Sequence, residues 1–292
     1  VDMFGTNKII GRSSFSGKAG DLTAPNASGL KVTSVFYTLQ GEGPYAGRPA
    51  VFVRLTHCNL ACSFCDSMFE QGDFMSNEKL IALVDQRLNE EFNKVVDRRW
   101  VQQNVVLVIT GGEPLLQQNL RSFIREVESK FAAVQIESNG TLEPNLSLET
   151  VLVVSPKCAE RDGKPTKYLQ PGPAVKRADY LKFVFSSDPD SPYNSIPDWA
   201  FEWGQDNGNQ KIYISPMNIY NSIPQKIKLF RAGDRKDLDM EVRSTVDEVV
   251  SFWEPGLFNM KANQANHEAA ARYCMKHGFT FNMQMHLFAS LA

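Results

Sequence analysis

Cys58, Cys62 and Cys65 lie in one short loop, Cys58-Asn59-Leu60-Ala61-Cys62-Ser63-Phe64-Cys65, just after the apolar run Val51-Phe52-Val53-Arg54-Leu55. Three thiolates from one loop can hold three corners of a cubane iron–sulfur cluster, for which cysteine is the usual protein ligand. The loop has no fourth cysteine, so one iron is left open. An open iron is a place for chemistry, whereas a fully ligated cluster is usually an electron carrier. With His57 in front of Cys58, a structural zinc site is the competing reading. Adjacent side chains diverge and rarely reach one tetrahedral ion together, which disfavours it.

The rest of the chain reads as strands alternating with helices. Strands are expected at 32–39 and 50–55, on either side of the turn Gln40-Gly41-Glu42-Gly43-Pro44. A helix capped by Ser76 or Asn77 and running to about 93 follows. The apolar run 105–110 reads as a buried parallel strand ending in Gly111-Gly112-Glu113-Pro114, with a helix expected over 115–131. Further strands are expected at 134–137, 151–154, 180–185 and 211–214. The first, second and last of these run into Ser138-Asn139-Gly140, Ser155-Pro156-Lys157 and Ser215-Pro216-Met217. A helix over 265–277 stops at Gly278, and a last strand over 279–285 leads to His286. This alternation predicts a parallel α/β architecture, in which ligands bind at the carboxyl ends of the strands. Most of the polar motifs fall at such ends, which is what a single active site requires.

Length and composition set the outer limits. The 292 residues allow one large domain with insertions, expected as an N-terminal arm over 1–30 and a catalytic domain over 31–292. Additions to the core are expected near 158–178 and 232–264. A formal charge of −2 gives no basic excess for nucleic acid, and no apolar run approaches a membrane span. No signal peptide is visible at the start, and the five cysteines, three of them in one loop, fit a reducing cytoplasm. Cys158 and Cys274 read as small buried hydrophobes. Gln40, Glu42 and Arg54 place an amide, a carboxylate and a guanidinium near the cysteine loop, a trio that can read a heterocycle edge and clamp a carboxylate. An ion pair between Arg54 and Glu42 is the structural alternative.

The cysteine spacing resembles that of the radical S-adenosylmethionine (SAM) superfamily. The resemblance implies a partial (β/α) barrel with family-specific insertions, a [4Fe-4S] cluster on Cys58, Cys62 and Cys65, and SAM on the open iron. It implies that Glu113 takes the methionyl ammonium, with Gly112 giving backbone access. Ser138, Asn139 and Ser155 are then ribose partners, and Lys157 faces the SAM carboxylate. Phe64 lies against adenine unless it is ordinary core, and Met217 completes the cofactor side.

The match narrows further. Leu39-Gln40-Gly41-Glu42-Gly43, Gly47-Arg48-Pro49-Ala50-Val51-Phe52-Val53-Arg54, Cys58-Asn59-Leu60, Cys65-Asp66, Gly-Gly-Glu-Pro, the Glu137–Thr141 segment, Ser155-Pro156-Lys157, Ser215-Pro216-Met217 and Gln284-Met285-His286 together resemble the 7-carboxy-7-deazaguanine synthase family. That resemblance implies conversion of 6-carboxy-5,6,7,8-tetrahydropterin to 7-carboxy-7-deazaguanine with loss of ammonia, on the queuosine pathway. The reaction would proceed by hydrogen abstraction by a 5′-deoxyadenosyl radical and ring contraction, with SAM regenerated. Gln40, Glu42, Arg54 and His286 become substrate contacts, and Ser67 becomes the protein ligand of a Mg2+ ion. A homodimer, a cytoplasmic location and an electron donor such as flavodoxin or ferredoxin go with it. Three positions depart from the pattern: His57 for glycine, Leu287 for lysine and Ser67 for threonine. An activating enzyme acting on a protein glycyl site would share the cysteine loop and Gly-Gly-Glu-Pro but has no use for the Gln40, Glu42 and Arg54 cluster. A zinc-binding interaction module is the non-enzymatic alternative.

Overall fold

The computed structural model describes residues 29–292, apart from 61, 66–68, 70–71, 93, 222–251, 254 and 292. Ser67, nearly all of the expected arm over 1–30, and most of the expected addition over 232–264 therefore lie outside the described residues.

In chain order the strands and helices are β1 (Gly29–Leu39), β2 (Pro49–Leu55), β3 (Asp73–Ser76), α1 (Asn77–Glu91), α2 (Arg98–Asn104), β4 (Val106–Gly111), α3 (Leu120–Val127), β5 (Ala133–Ser138) and β6 (Val151–Val154). They continue with β7 (Cys158–Arg161), β8 (Lys164–Tyr168), α4 (Pro173–Arg177), β9 (Tyr180–Phe185), α5 (Asp198–Asn207), β10 (Ile212–Pro216), α6 (Met260–His277), β11 (Thr280–Phe281) and α7 (Met285–Ala289). The main sheet runs β11-β10-β9-β6-β5-β4-β2-β1-β3. From β2 to β11 every neighbour is parallel, and β1 runs antiparallel to both β2 and β3. This is the parallel α/β sheet that the strand–helix alternation predicts.

The two faces of the sheet differ in chemistry. One carries Val53, Leu107, Ile109, Ile136, Leu152, Leu181, Phe183, Ile212 and Ile214 into the main core, where α1 adds Leu80, Val84 and Leu88 and α3 adds Phe123 and Ile124. Because successive residues of a strand point to opposite faces, the alternate positions form an inner face. Ala50, Val106 and Val108 pack there with Phe52, Tyr45 and Ala133 as a small apolar plug. Beside that plug the inner face turns polar, at Arg54 of β2, Gln135 and Glu137 of β5 and Lys182 of β9.

Helix ends follow their local sequence. Ser76 caps α1 by accepting from the Lys79 N–H, Asp97 caps α2 by accepting from the Arg99 N–H, and Gly278 ends α6 in the left-handed conformation.

Two expected elements come out differently. The helix expected over 115–131 is confined to α3, with 3-10 turns at Pro114–Leu116 and Glu128–Lys130. The Gln117 side chain explains the late start: its amide accepts from the Lys31 N–H at 2.8 Å and donates to the Lys31 carbonyl at 2.9 Å. That double bond to β1 fixes the chain before α3 begins. The strand expected over 279–285 is only Thr280–Phe281, and His286 sits in α7. There the Met285 N–H bonds the Gly41 carbonyl instead of a sheet neighbour. The addition near 158–178 is a hairpin of β7 and β8 followed by α4.

Phe123, fully buried between α3 and the sheet, tests this core. Phe123→Ala should cost about 3–5 kcal/mol of unfolding free energy in urea titration. A loss below about 1 kcal/mol would show that the face is not packed as described.

Candidate active site

The cysteine loop is held at the carboxyl end of β2 by the end of β4. Gly112 N–H donates to the Leu55 carbonyl at 3.0 Å, and Glu113 N–H to the His57 carbonyl at 2.8 Å. Only glycine allows this approach. Gly111 sits at φ +124°, and a Cβ on Gly112 would lie 1.8 Å from the His57 carbonyl oxygen. His57 itself takes φ +70°, a left-handed conformation that glycine adopts freely and other residues adopt at some cost. The departure from the family's glycine therefore falls where the backbone prefers glycine. Its imidazole Nδ1 lies 2.5 Å from the Thr56 hydroxyl.

Within the loop, Cys65 N–H bonds the Cys62 carbonyl at 3.1 Å. Leu60 N–H and the Asn139 amide approach the Cys58 sulfur at 3.5 and 3.8 Å. Burial pushes the Cys58 thiol up to about 11 and raises that of Cys62. The Lys157 ammonium is drawn down by burial and feels Cys62, Cys65 and Cys58 together. Three thiols around one desolvated cation suit a group that binds them as thiolates, and loading it would release protons. Among the described residues, no three His, Cys, Asp or Glu side chains are disposed to hold a single metal ion. A cubane, whose ligands stand on separate irons, asks for wider spacing.

Glu113 is fully buried. One carboxylate oxygen accepts from Leu115 N–H and the Ser138 hydroxyl, each at 2.9 Å, and the other from Asn139 N–H at 2.6 Å. Ser138 thus orients Glu113. Asn139 ties its own loop to the cysteine loop, donating to Asn59 at 2.9 Å. Ser155 bonds the β5 end through its N–H and accepts from Lys157 Nζ at 2.6 Å. Phe64 packs edge-on against the buried Tyr193 ring, centroids 5.2 Å apart. Tyr193 in turn accepts from the Cys158 N–H at 2.9 Å. The β7–β8 hairpin leans on the same loop, Glu160 accepting from Ser63 N–H at 2.7 Å. Cys158 and Cys274 are buried as expected. Met217, after β10, is fixed through its backbone by Phe185 and Asn266.

The residues expected to contact substrate gather around the turn after β1. Gln40 donates to Glu137 at 3.2 Å and accepts from Glu42 N–H at 3.0 Å. Glu42 pairs with Lys182 at 2.6 Å. Arg54 lies over the Phe36 ring, 5.5 Å from its centroid. His286 packs so closely on Gly41 that a Cβ there would lie 2.3 Å from its Nδ1. Asn282 fastens this region by accepting from Gly43 N–H at 2.8 Å and donating to Ser215 at 2.7 Å. The fold thus brings Gln40, Glu42 and His286 together.

Glu137, Lys182 and Asn282 join this site without being singled out from sequence. The signal was available: a lysine in Tyr-Leu-Lys-Phe-Val-Phe and a glutamate in Val-Gln-Ile-Glu-Ser are charges inside buried strands, and such charges are almost always paired.

Two expectations follow. Gly112→Ala should cost about 2 kcal/mol or more and lower iron and sulfide content after anaerobic reconstitution, because the new methyl meets backbone. Burial pushes the Glu113 carboxyl up to about 7 from 4.5, despite its three hydrogen bonds. The ligand-free native state therefore holds that proton more tightly than the unfolded chain does. Stability should fall as pH rises from about 4.5 to about 7, and Glu113→Gln should lack this component. Urea midpoints of both proteins across the window check it, and parallel curves would contradict it.

Residues 39–156 match the 4Fe-4S single cluster domain family. The 7-carboxy-7-deazaguanine synthase of Rhodospirillum rubrum is 35% identical over 198 residues, 67% of this chain and 71% of that protein. The synthase of Bacteroides thetaiotaomicron is 33% identical over 167 residues, 57% and 76% of the two chains. In three dimensions the chain is similar to QueE from Escherichia coli, with TM-score 0.50 and 21% identity over 87% of this chain and 92% of that one, a likeness of fold. The sequence matches and the shared fold agree with the geometry of the cysteine loop: the chain belongs to the 7-carboxy-7-deazaguanine synthase family of radical SAM enzymes.

Proposed function

We propose that this enzyme converts 6-carboxy-5,6,7,8-tetrahydropterin to 7-carboxy-7-deazaguanine and ammonia. The observation that carries the reading is the polar inner face, where Gln40, Glu42, Glu137 and His286 converge. A flat heterocycle with several N–H groups and one carboxylate finds acceptors there in Glu42 and Glu137. Arg54, on the same face, is the partner for the substrate carboxylate.

Cys58, Cys62 and Cys65 would hold the [4Fe-4S] cluster, and Glu113 the SAM ammonium. Ser138 fixes the Glu113 carboxylate, and Asn139 fixes the loop that carries Cys58. Ser155 and Lys157 would meet the SAM ribose and carboxylate, and Phe64 and Met217 its adenine. When bound, the reduced cluster and SAM would supply the radical chemistry that removes a hydrogen from C6 of the pterin. The chain's own task is to hold that carbon against the cofactor and to keep water away. A Mg2+ ion held by substrate oxygens and the Ser67 hydroxyl belongs to this reading, since such an ion keeps most of its ligands as water and substrate. So do a homodimer, a cytoplasmic location and an electron donor of the flavodoxin or ferredoxin class. No helix among the described residues is long and apolar enough to cross a membrane.

Anaerobic reconstitution with iron and sulfide, followed by reductant, SAM, Mg2+ and the pterin, tests the proposal by mass spectrometry of the products. Formation of 7-carboxy-7-deazaguanine, lost together with the brown colour in Cys62→Ala, is expected. A brown protein that cleaves SAM and leaves the pterin intact would overturn the substrate, and a glycyl activating role would then be the next reading.

A further inference from the structure

Lys182 sits in the middle of β9, on a strand that is otherwise apolar, with its side chain 10% exposed. Its Nζ lies 2.6 Å from one Glu42 oxygen and 3.4 Å from one Glu137 oxygen. Those carboxylates come from distant parts of the chain, the turn after β1 and the end of β5, and are themselves largely buried. The amides of Gln40 and Gln135 add donors to the other Glu137 oxygen at 3.2 and 3.0 Å.

We propose that Lys182 is the positioning residue of the pterin site: its ammonium holds Glu42 and Glu137 side by side as an acceptor-only pair for the N–H groups of the substrate. This inference rests on the pterin reading above. Two carboxylates sharing a buried site resist ionising together, and one tends to keep a proton. A protonated carboxyl would present a donor where the pterin also presents donors. An ionised carboxylate is acceptor-only. The ammonium between the pair removes the conflict, and burial, which would draw its own proton off, is outweighed by Glu137 and Glu42. Lys157 is a second buried cation nearby, and it feels the Lys182 charge. Among the described residues, Arg54 from β2 and His286 from α7, packed on Gly41, are further titratable or charged groups on this side of the site. Lys182 touches no reacting atom in this scheme; it sets the charge and spacing of the two carboxylates that hold the substrate.

The test compares wild type, Lys182→Met and Lys182→Arg as reconstituted holoenzymes. In Lys182→Met, cluster content and SAM cleavage without pterin should stay within about twofold of wild type. KM for the pterin should rise roughly tenfold or more, equivalent to the loss of one well-made charged contact. Its kcat should change by less than about threefold, so that the loss lies in KM, because Lys182 touches no reacting atom. Lys182→Arg should restore most of the KM. Lys182→Gln, which keeps a donor but no charge, carries the same reading if the methionine variant does not fold. An unchanged KM, or a loss confined to kcat, would overturn the role of Lys182. Failure of wild type to act on the pterin would instead overturn the substrate itself.

Discussion

Two backbone hydrogen bonds hold the active end of this protein together: Gly112 N–H to Leu55 and Glu113 N–H to His57. They join the loop after β4 to the loop after β2, so the cysteines and the carboxylate expected to grip SAM become one rigid body. Backbone bonds do this well because neither partner has rotamers to lose. The arrangement demands that nothing stand between the two chains, which is why Gly111-Gly112 precedes the glutamate. The remaining connections radiate from this joint. Asn139 reaches from β5 to the cysteine loop, Ser138 reaches to Glu113, and Glu160 braces Ser63 from the hairpin.

The inner face is stabilised differently. A core of this size could have been apolar on both faces of the sheet, as parallel strands between helices usually are. Instead the face beside the apolar plug carries Gln135, Glu137, Lys182 and Arg54. Buried charges of this kind contribute little net stability, because desolvation offsets most of the attraction between them. Their value lies in chemistry, since a fixed set of donors and acceptors recognises a polar ring without rearranging. The α/β scaffold supplies the stability through its outer face, where Phe123, Phe183 and the branched residues of β4 to β10 pack.

Much of this was legible in the residues. The strand–helix alternation gave the parallel sheet, and the polar motifs at strand ends gave the place of the site, because side-chain period and loop chemistry are local properties. Gln40, Glu42 and His286 were named from sequence and do come together around Gly41. Other features depended on partners far along the chain. Gln117 holds back a helix that its own neighbours favour, through a bond to Lys31. Asn282 N–H still bonds the Ile214 carbonyl of β10, but the chain then leaves the sheet, and Met285 N–H takes the Gly41 carbonyl instead. Lys182 lay in plain view as a charge inside a buried strand, yet its partners are 140 and 45 residues away. The additions around the core carry little periodicity, and the β7–β8 hairpin was read only as an insertion for that reason.

Electron–nuclear double resonance on the reduced, reconstituted protein tests most directly whether an iron stands open beside Glu113. SAM labelled with nitrogen-15 at its amino group should change the cluster signal on binding and show hyperfine coupling to it. A cluster signal indifferent to SAM, with no coupling to the label, would mean a fully ligated cluster and would contradict the account.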